Sequence, residues 1–137
     1  MGLKLNFKTV IIFISLTLFG FLSIYFYAYK GHRDIASEEA SFSLDANVLI
    51  QDFTLNVDTA GKKYTNQTLN IHGLVTLLDL TNNIIMINEY ISVQGIQNIS
   101  AIKKNQKITI KGRLVGYDDL LNEIVMDQAI IQNIDTK

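Results

Sequence analysis

Residues 68 to 79, TLNIHGLVTLLD, form the clearest strand in the chain, and they decide how the rest is read. Leu69, Ile71, Gly73, Val75 and Leu77 fall on one face of a period-two pattern. Asn70, His72, Leu74, Thr76 and Leu78 fall on the other. A glycine in the middle of the apolar face marks a sharp bend or a close packing contact.

Downstream, Thr81-Asn82-Asn83 has turn chemistry. IIMINEY (84–90) and ISVQGI (91–96) read as two further strands, and QNISAIKK (97–104) as one or two helical turns. QKITIKGRLVGY (106–117) alternates again, with Ile108, Ile110, Gly112 and Leu114 inward and Thr109, Lys111, Arg113 and Val115 outward. Gly116-Tyr117-Asp118-Asp119 makes a polar hairpin tip. In the last strand, NEIVMDQAII (122–131), the phase changes near Asp127, which predicts a bulge there.

Upstream, Leu44, Val48, Leu49 and Phe53 recur at helical spacing, with Ser43 placed to cap a helix from Leu44 and Asp45 in its first turn. Asn56 is placed to cap a second short helix, VDTAGKKY (57–64), with Val57, Ala60 and Tyr64 on one face. Gly61 lowers its helix propensity. The order is one or two short helices, then five strands with a short helix before the fourth. A long, bent first strand and that helical connection suit a five-stranded OB barrel, a mainly β fold, over residues 44–137. A small sandwich or an open α+β sheet is the alternative; barrel closure removes exposed edges.

VIIFISLTLFGFLSIYFYA, Val10 to Ala28, carries no charge. As a helix it would span roughly 28 Å, close to the hydrocarbon thickness of a bilayer. Ser15, Thr17 and Ser23 can return their hydroxyls to the backbone, and Tyr25, Tyr27 and Tyr29 gather at one end like an interfacial belt. The rival reading is a cleaved signal peptide. Phe26 before Ala28 and Glu38 before Ala40 make poor cleavage sites. The expectation is a short basic cytoplasmic tail (1–9), a transmembrane helix (10–28) contacting the lipid bilayer, a polar juxtamembrane linker (29–43), and the barrel outside the cell membrane. The positive tail favours an inside N-terminus, although Lys30 and Arg33 beyond the span nearly balance Lys4 and Lys8.

The net charge of -1 conceals an asymmetry. Lys4, Lys8, Lys30 and Arg33 face no acid up to Arg33, whereas from Asp34 onward 8 basic residues meet 13 acidic ones. A domain of that sign is a poor default binder of nucleic acid. The absence of Cys excludes disulfides, thiolate zinc sites and a catalytic thiol.

The stretch Phe53 to Gly73, with Phe53, Asn56, Ala60, Tyr64 and Ile71-His72-Gly73, resembles the tRNA-anti-like family of OB-fold proteins. KITIKGRLVGYDDLLNEIVMDQAII (107–131) resembles that family's Lys-Gly strand, its Gly-aromatic-acidic hairpin and its closing strand. The resemblance covers about residues 44–132. It implies a small bacterial domain, often exported or membrane-attached; the family's name is not evidence of tRNA binding. Ala129 stands where the family often has Cys, and Asn105 where it often has Gly. A function that needs that Cys does not carry over.

No Ser/His/Asp set, phosphate loop or metal motif is present, so no catalytic residue, no metal and no cofactor is expected. His72 and His32 are isolated, Glu38 and Glu39 read as solvated, and Asp118-Asp119 supply too few oxygens for Ca²⁺. Asn66-Gln67-Thr68 and Asn98-Ile99-Ser100 match glycosylation acceptors, a pattern common by chance. Tyr90, Lys111, Arg113 and Tyr117 are the candidate contacts. The expected function is a membrane-anchored binding module for a protein, peptide or saccharide partner in the cell envelope. The alternatives are a single-strand nucleic-acid binder, using Lys103, Lys104, Lys107, Lys111, Arg113 and Tyr117, and a structural subunit of a membrane complex.

Overall fold

The computed structural model describes residues 7–28 and 34–135, with side chains placed for 10–25 and 34–135. The chain divides into two units, 1–33 and 34–137.

The first unit is a helix, α1 (Phe7–Ala28). Thr17 Oγ1 donates to Phe13 O, and Ser23 Oγ donates to Phe19 O at 2.9 Å, so both hydroxyls are satisfied by their own helix. From Ile11 to Tyr25 every described side chain is exposed. Over the described residues, no helix is long and apolar enough to cross a membrane. Lys4, Lys30, His32, Arg33 and Tyr29 lie outside the described residues, as do the side chains of Lys8 and Tyr27.

The second unit runs β1 (Phe42–Asp45), α2 (Ala46–Leu55), α3 (Val57–Tyr64), β2 (Thr68–Asp79), β3 (Ile84–Ile87), β4 (Ile91–Gln94), a 3-10 turn (Ile99–Ala101), β5 (Lys107–Asp118) and β6 (Glu123–Ile134). The strands pair in the order β1-β2-β3-β4-β6-β5, and β5 returns to β2. Strands β2 to β6 therefore close a five-stranded barrel in which β4 and β6 are parallel and the other pairs antiparallel. Closure leaves no open edge within the ring.

Gly73 sits where β2 changes partners. Residues 68–74 pair with β5, and from Val75 the strand pairs with β3. A Cβ on Gly73 would lie 2.4 Å from Ile87 Cγ2 and 2.9 Å from Ala46 Cβ, so the bend requires that close approach. Leu69, Ile71 and Val75 are buried as their spacing predicts, together with Ile108, Ile110 and Leu114 from β5.

Several elements depart from the sequence pattern. Leu77 is 48% exposed, because a bulge between Val75 and Leu77 shifts the phase and turns Leu78 toward the core. The first helix of this unit starts at Ala46, not Leu44. Residues 42–45 form β1, parallel to the first half of β2, and Asp45 is the cap, accepting from the Asn47 N–H at 2.9 Å. Val48 faces solvent, while Ala46, Leu49 and Phe53 are buried. Strand β3 stops at Ile87. Asn88 and Glu89, both at positive φ, form a tight turn closed by the Tyr90 N–H to Ile87 O, within the three-residue connection 88–90 that joins β3 to β4. The helical connection before β5 is a single 3-10 turn.

Two expectations hold in detail. Asn56 caps α3 by accepting from the Thr59 N–H at 2.8 Å. The last strand bulges beside Asp127, at Gln128 (φ 50), where the register with β5 shifts.

The polypeptide before β1, read as linker up to residue 43, is held against the barrel from Asp34 onward. Ile35 is buried, Lys111 Nζ donates to Ala36 O (2.8 Å) and Glu38 O (3.0 Å), and the Ser41 N–H reaches Thr68 O.

Candidate functional site

The helices α2 and α3 meet the end of the β5–β6 hairpin along a row of aromatic rings. Phe42 and Tyr64 meet edge to face with centroids 5.1 Å apart, Tyr64 and Phe53 stack at 6.4 Å, and Phe53 and Tyr117 stack at 5.8 Å with planes 16° apart. Each such pair contributes about 0.5–1.5 kcal/mol beyond its buried area. Phe53 and Tyr64 are buried and anchor the row. Tyr117, at the other end, is half-buried and opens onto a cleft.

That cleft has a volume of about 440 Å³. Its walls are Ile50, Phe53 and Thr54 of α2, Val57 of α3, Tyr90 of the β3–β4 connection, Tyr117 and Asn122 at the β5–β6 hairpin, and Ile124 of β6. Tyr90 is 44% exposed and sits beside Ile124, whose N–H donates to Tyr90 O at 2.8 Å. The Tyr117 hydroxyl donates to Asn122 Oδ1. The carboxamide N–H groups of Asn122, which lines the cleft, thus remain as donors. Thr54 Oγ1 donates to Ile50 O at 2.8 Å and keeps lone pairs as an acceptor. No charged side chain lines the cleft. Two tyrosines, aliphatic walls and one neutral donor–acceptor pair suit a neutral ligand that presents a flat or apolar face and a few hydroxyl or amide groups.

The four sequence-predicted contacts separate here. Tyr90 and Tyr117 come together in the cleft. Lys111 and Arg113 lie further back along β5 and are engaged internally: Lys111 holds the 36–38 segment, and Arg113 binds Asp127 bidentately through Nε (2.9 Å) and Nη2 (2.6 Å). The Asp127 carboxylate beside it holds the Arg113 guanidinium above its usual pKa. Gly116 and Tyr117 belong to β5, and the hairpin tip proper is residues 119–122. Asp118 Oδ1 accepts from the Leu120 and Leu121 N–H groups, so one of its oxygens shapes the turn. His72 Nδ1 lies 3.1 Å from Thr109 Oγ1, a cross-strand contact. Among the described residues no three His, Asp or Glu side chains gather as a metal site. The cleft walls Ile50 and Thr54 escaped sequence reasoning, and Val57 was read only as part of the second helix's apolar face, since the cleft answers to where α2 and α3 dock and not to local periodicity. Phe53 was read as a core-spaced residue and as part of the family resemblance, not as a site wall.

Known proteins agree with this architecture. A crystal structure from Klebsiella pneumoniae, described as that of a candidate nucleic acid-binding lipoprotein, matches with a TM-score of 0.55 at 16% identity, covering 75% of this chain and 98% of that one. At such identity the likeness establishes the fold alone. No curated protein matches the chain. The tRNA_anti-like family profile matches residues 3–128, spanning both the helices that carry the aromatic row and most of the closed barrel, and the chain belongs to the tRNA_anti-like family.

Proposed function

We propose that the protein is a membrane-anchored OB-fold binding module, without enzymatic activity, that engages a neutral group of a protein, peptide or saccharide partner in the cell envelope. The observation that carries this reading is the uncharged cleft between Tyr90, Tyr117 and the α2–α3 pair. It adjoins the β5–β6 loop, a place where OB folds meet ligands. Anchoring is supported by the uncharged run Val10–Ala28 and by the apolar side chains that α1 leaves exposed. An anchor raises the effective concentration of the domain near membrane partners. The short basic tail before the span, with Lys4, Lys8 and the amino terminus, supports an inside N-terminus and an outside barrel.

The test is affinity capture of the full chain from gently solubilised membranes, run beside Tyr90→Ala and Tyr117→Ala variants and a Lys62→Ala control. The expected result is a protein or glycan retained by the parent and the control and lost from both tyrosine variants. Retention by all four would remove the cleft from the function. A turnover activity that survives stringent purification would overturn the non-enzymatic reading.

One observation favours the nucleic-acid alternative. Lys103, Lys104 and Lys107 line a second depression, and none of them is ion-paired among the described residues. That reading requires single-strand binding that weakens steeply with salt and on lysine replacement. Absence of binding at low salt removes it. A structural-subunit role would instead appear as co-purification at fixed stoichiometry.

A further inference from the structure

Strand β5 ends in one unusual surface and begins in another. At its far end, Asp118 fixes the turn so that Leu120 is 96% exposed and Leu121 65% exposed. Two neighbouring leucines held this far into water by a formed turn leave apolar area that a contact would bury. Acids surround them: Asp118, Asp119 and Glu123, and no basic residue occurs between Arg113 and Lys137. At the near end of β5, a depression of about 800 Å³ is walled by Lys103, Lys104 and Lys107, with Leu74 and the backbone-bonded turn Asn105-Gln106 beneath and Asp135 as its one acid. The tip is an apolar plug with an acidic collar; the depression is a basic socket with an apolar residue in it.

The two cannot meet within one barrel. They lie at opposite ends of a strand of 12 residues, a path of about 36 Å at the usual rise per residue. We propose that the acidic Leu120-Leu121 tip of one molecule seats in the Lys103/Lys104/Lys107 depression of a second copy of this chain, so that the barrels associate head to tail. The contact is heterologous, and its repetition gives rows or rings. Charge complementarity selects the orientation: tip against tip would place two acidic collars together, and socket against socket two lysine clusters. Basic depressions also suit anionic polymers, but such a ligand would leave the exposed leucines unexplained. The proposal is independent of the cleft reading.

The chain has no Cys, so single cysteines report cleanly. The full chain is prepared in a nonionic detergent with differently tagged copies carrying Leu121→Cys or Asp135→Cys, and joined with a short bismaleimide. The expected result is a mixed adduct of Leu121→Cys with Asp135→Cys, in excess over either like pair. Lys103→Glu with Lys104→Glu on the Asp135→Cys copy should lower the yield about tenfold. Asp119→Lys with Glu123→Lys on the other copy should restore it. All the altered side chains are at least partly exposed, and thermal melting of each variant verifies folding. Like-pair adducts alone, no adduct, or a mixed adduct indifferent to salt and to charge reversal would each overturn the proposal. So would single-stranded DNA bound at the same lysines when no mixed adduct forms.

Discussion

Gly73 concentrates the demands of the fold on one residue. It is buried at the point where β2 leaves β5 for β3, and the space for a Cβ is already filled by Ile87 Cγ2 and Ala46 Cβ. Neither neighbour is the loose end of a long side chain, so relief requires moving β3 or the start of α2. Gly73→Ala should therefore destabilise the chain by about 1–3 kcal/mol, the usual range for overpacking, read as a lower urea midpoint with an unchanged slope. An unchanged midpoint would show that the α2–barrel contact is softer than its distances imply. Tyr117 makes the contrasting case. Tyr117→Phe keeps the stack on Phe53 and loses only the hydroxyl's bond to Asn122. Its stability should stay within about 1 kcal/mol of the parent. Tyr117→Ala loses both, and should cost more in melting temperature as well as in partner capture.

At the scale of elements, α2 and α3 are tied by a small polar cluster. Asp52 Oδ2 accepts from the Tyr64 hydroxyl at 2.7 Å and from Lys63 Nζ at 3.1 Å. The Tyr64 bond first, and the Lys63 bond next, hold the Asp52 carboxyl below its ordinary pKa of 3.8. A depressed folded-state pKa contributes stability that is present above the unfolded value and is lost as pH falls through the folded one. The Asp52 side chain is 31% exposed, so solvent screens the effect and its size is modest. Asp52→Asn should melt below the parent at pH 7, and the gap should close as the pH falls below about 4; a gap constant from pH 7 to pH 2 would assign the loss to packing. Asn56→Ala, which removes the α3 cap, should cost about 1 kcal/mol at every pH. These elements also show what the sequence could reveal. Asn56, Ala60, Tyr64 and the alternation of β2 and β5 were legible because each follows a local rule of capping or period. Residues 42–45 were misread as a helix start because Ser43 and Asp45 both have capping chemistry. Only the neighbouring edge of β2, a tertiary fact, selects a strand there and leaves Asp45 as the cap. Leu77 was misplaced for a similar reason: a bulge at Thr76 is set by the register with β3 and leaves no mark in the period. Of the site, the two tyrosines were visible as exposed aromatics near turns, whereas the α2–α3 wall opposite them needed the docked helices.

For the whole molecule, the arrangement of charge and hydropathy predicts where the barrel works. Residues 34–137 form a unit with their own core. The apolar side chains from Ile11 to Tyr25 are exposed, and in water that exposure is unfavourable. On the proposed anchoring, a bilayer would remove that cost, with the basic residues before and after the run left in water. The full chain should therefore remain in the membrane pellet after alkaline carbonate treatment and be released by detergent. A chain beginning at Asp34 should stay in the supernatant and keep the β-rich spectrum of the barrel. Recovery of the full chain in the carbonate supernatant would refute the anchor and return the segment to a signal-peptide reading, with mature protein beginning beyond it. Orientation follows from the same fractionation carried out on a fusion. With a reporter that is active only outside the cytoplasm joined after Lys137, activity is expected in a bacterial host. A cytoplasm-only reporter that works at the same position would instead place the acidic barrel inside, where Lys30 and Arg33 would have outweighed Lys4 and Lys8 in setting topology.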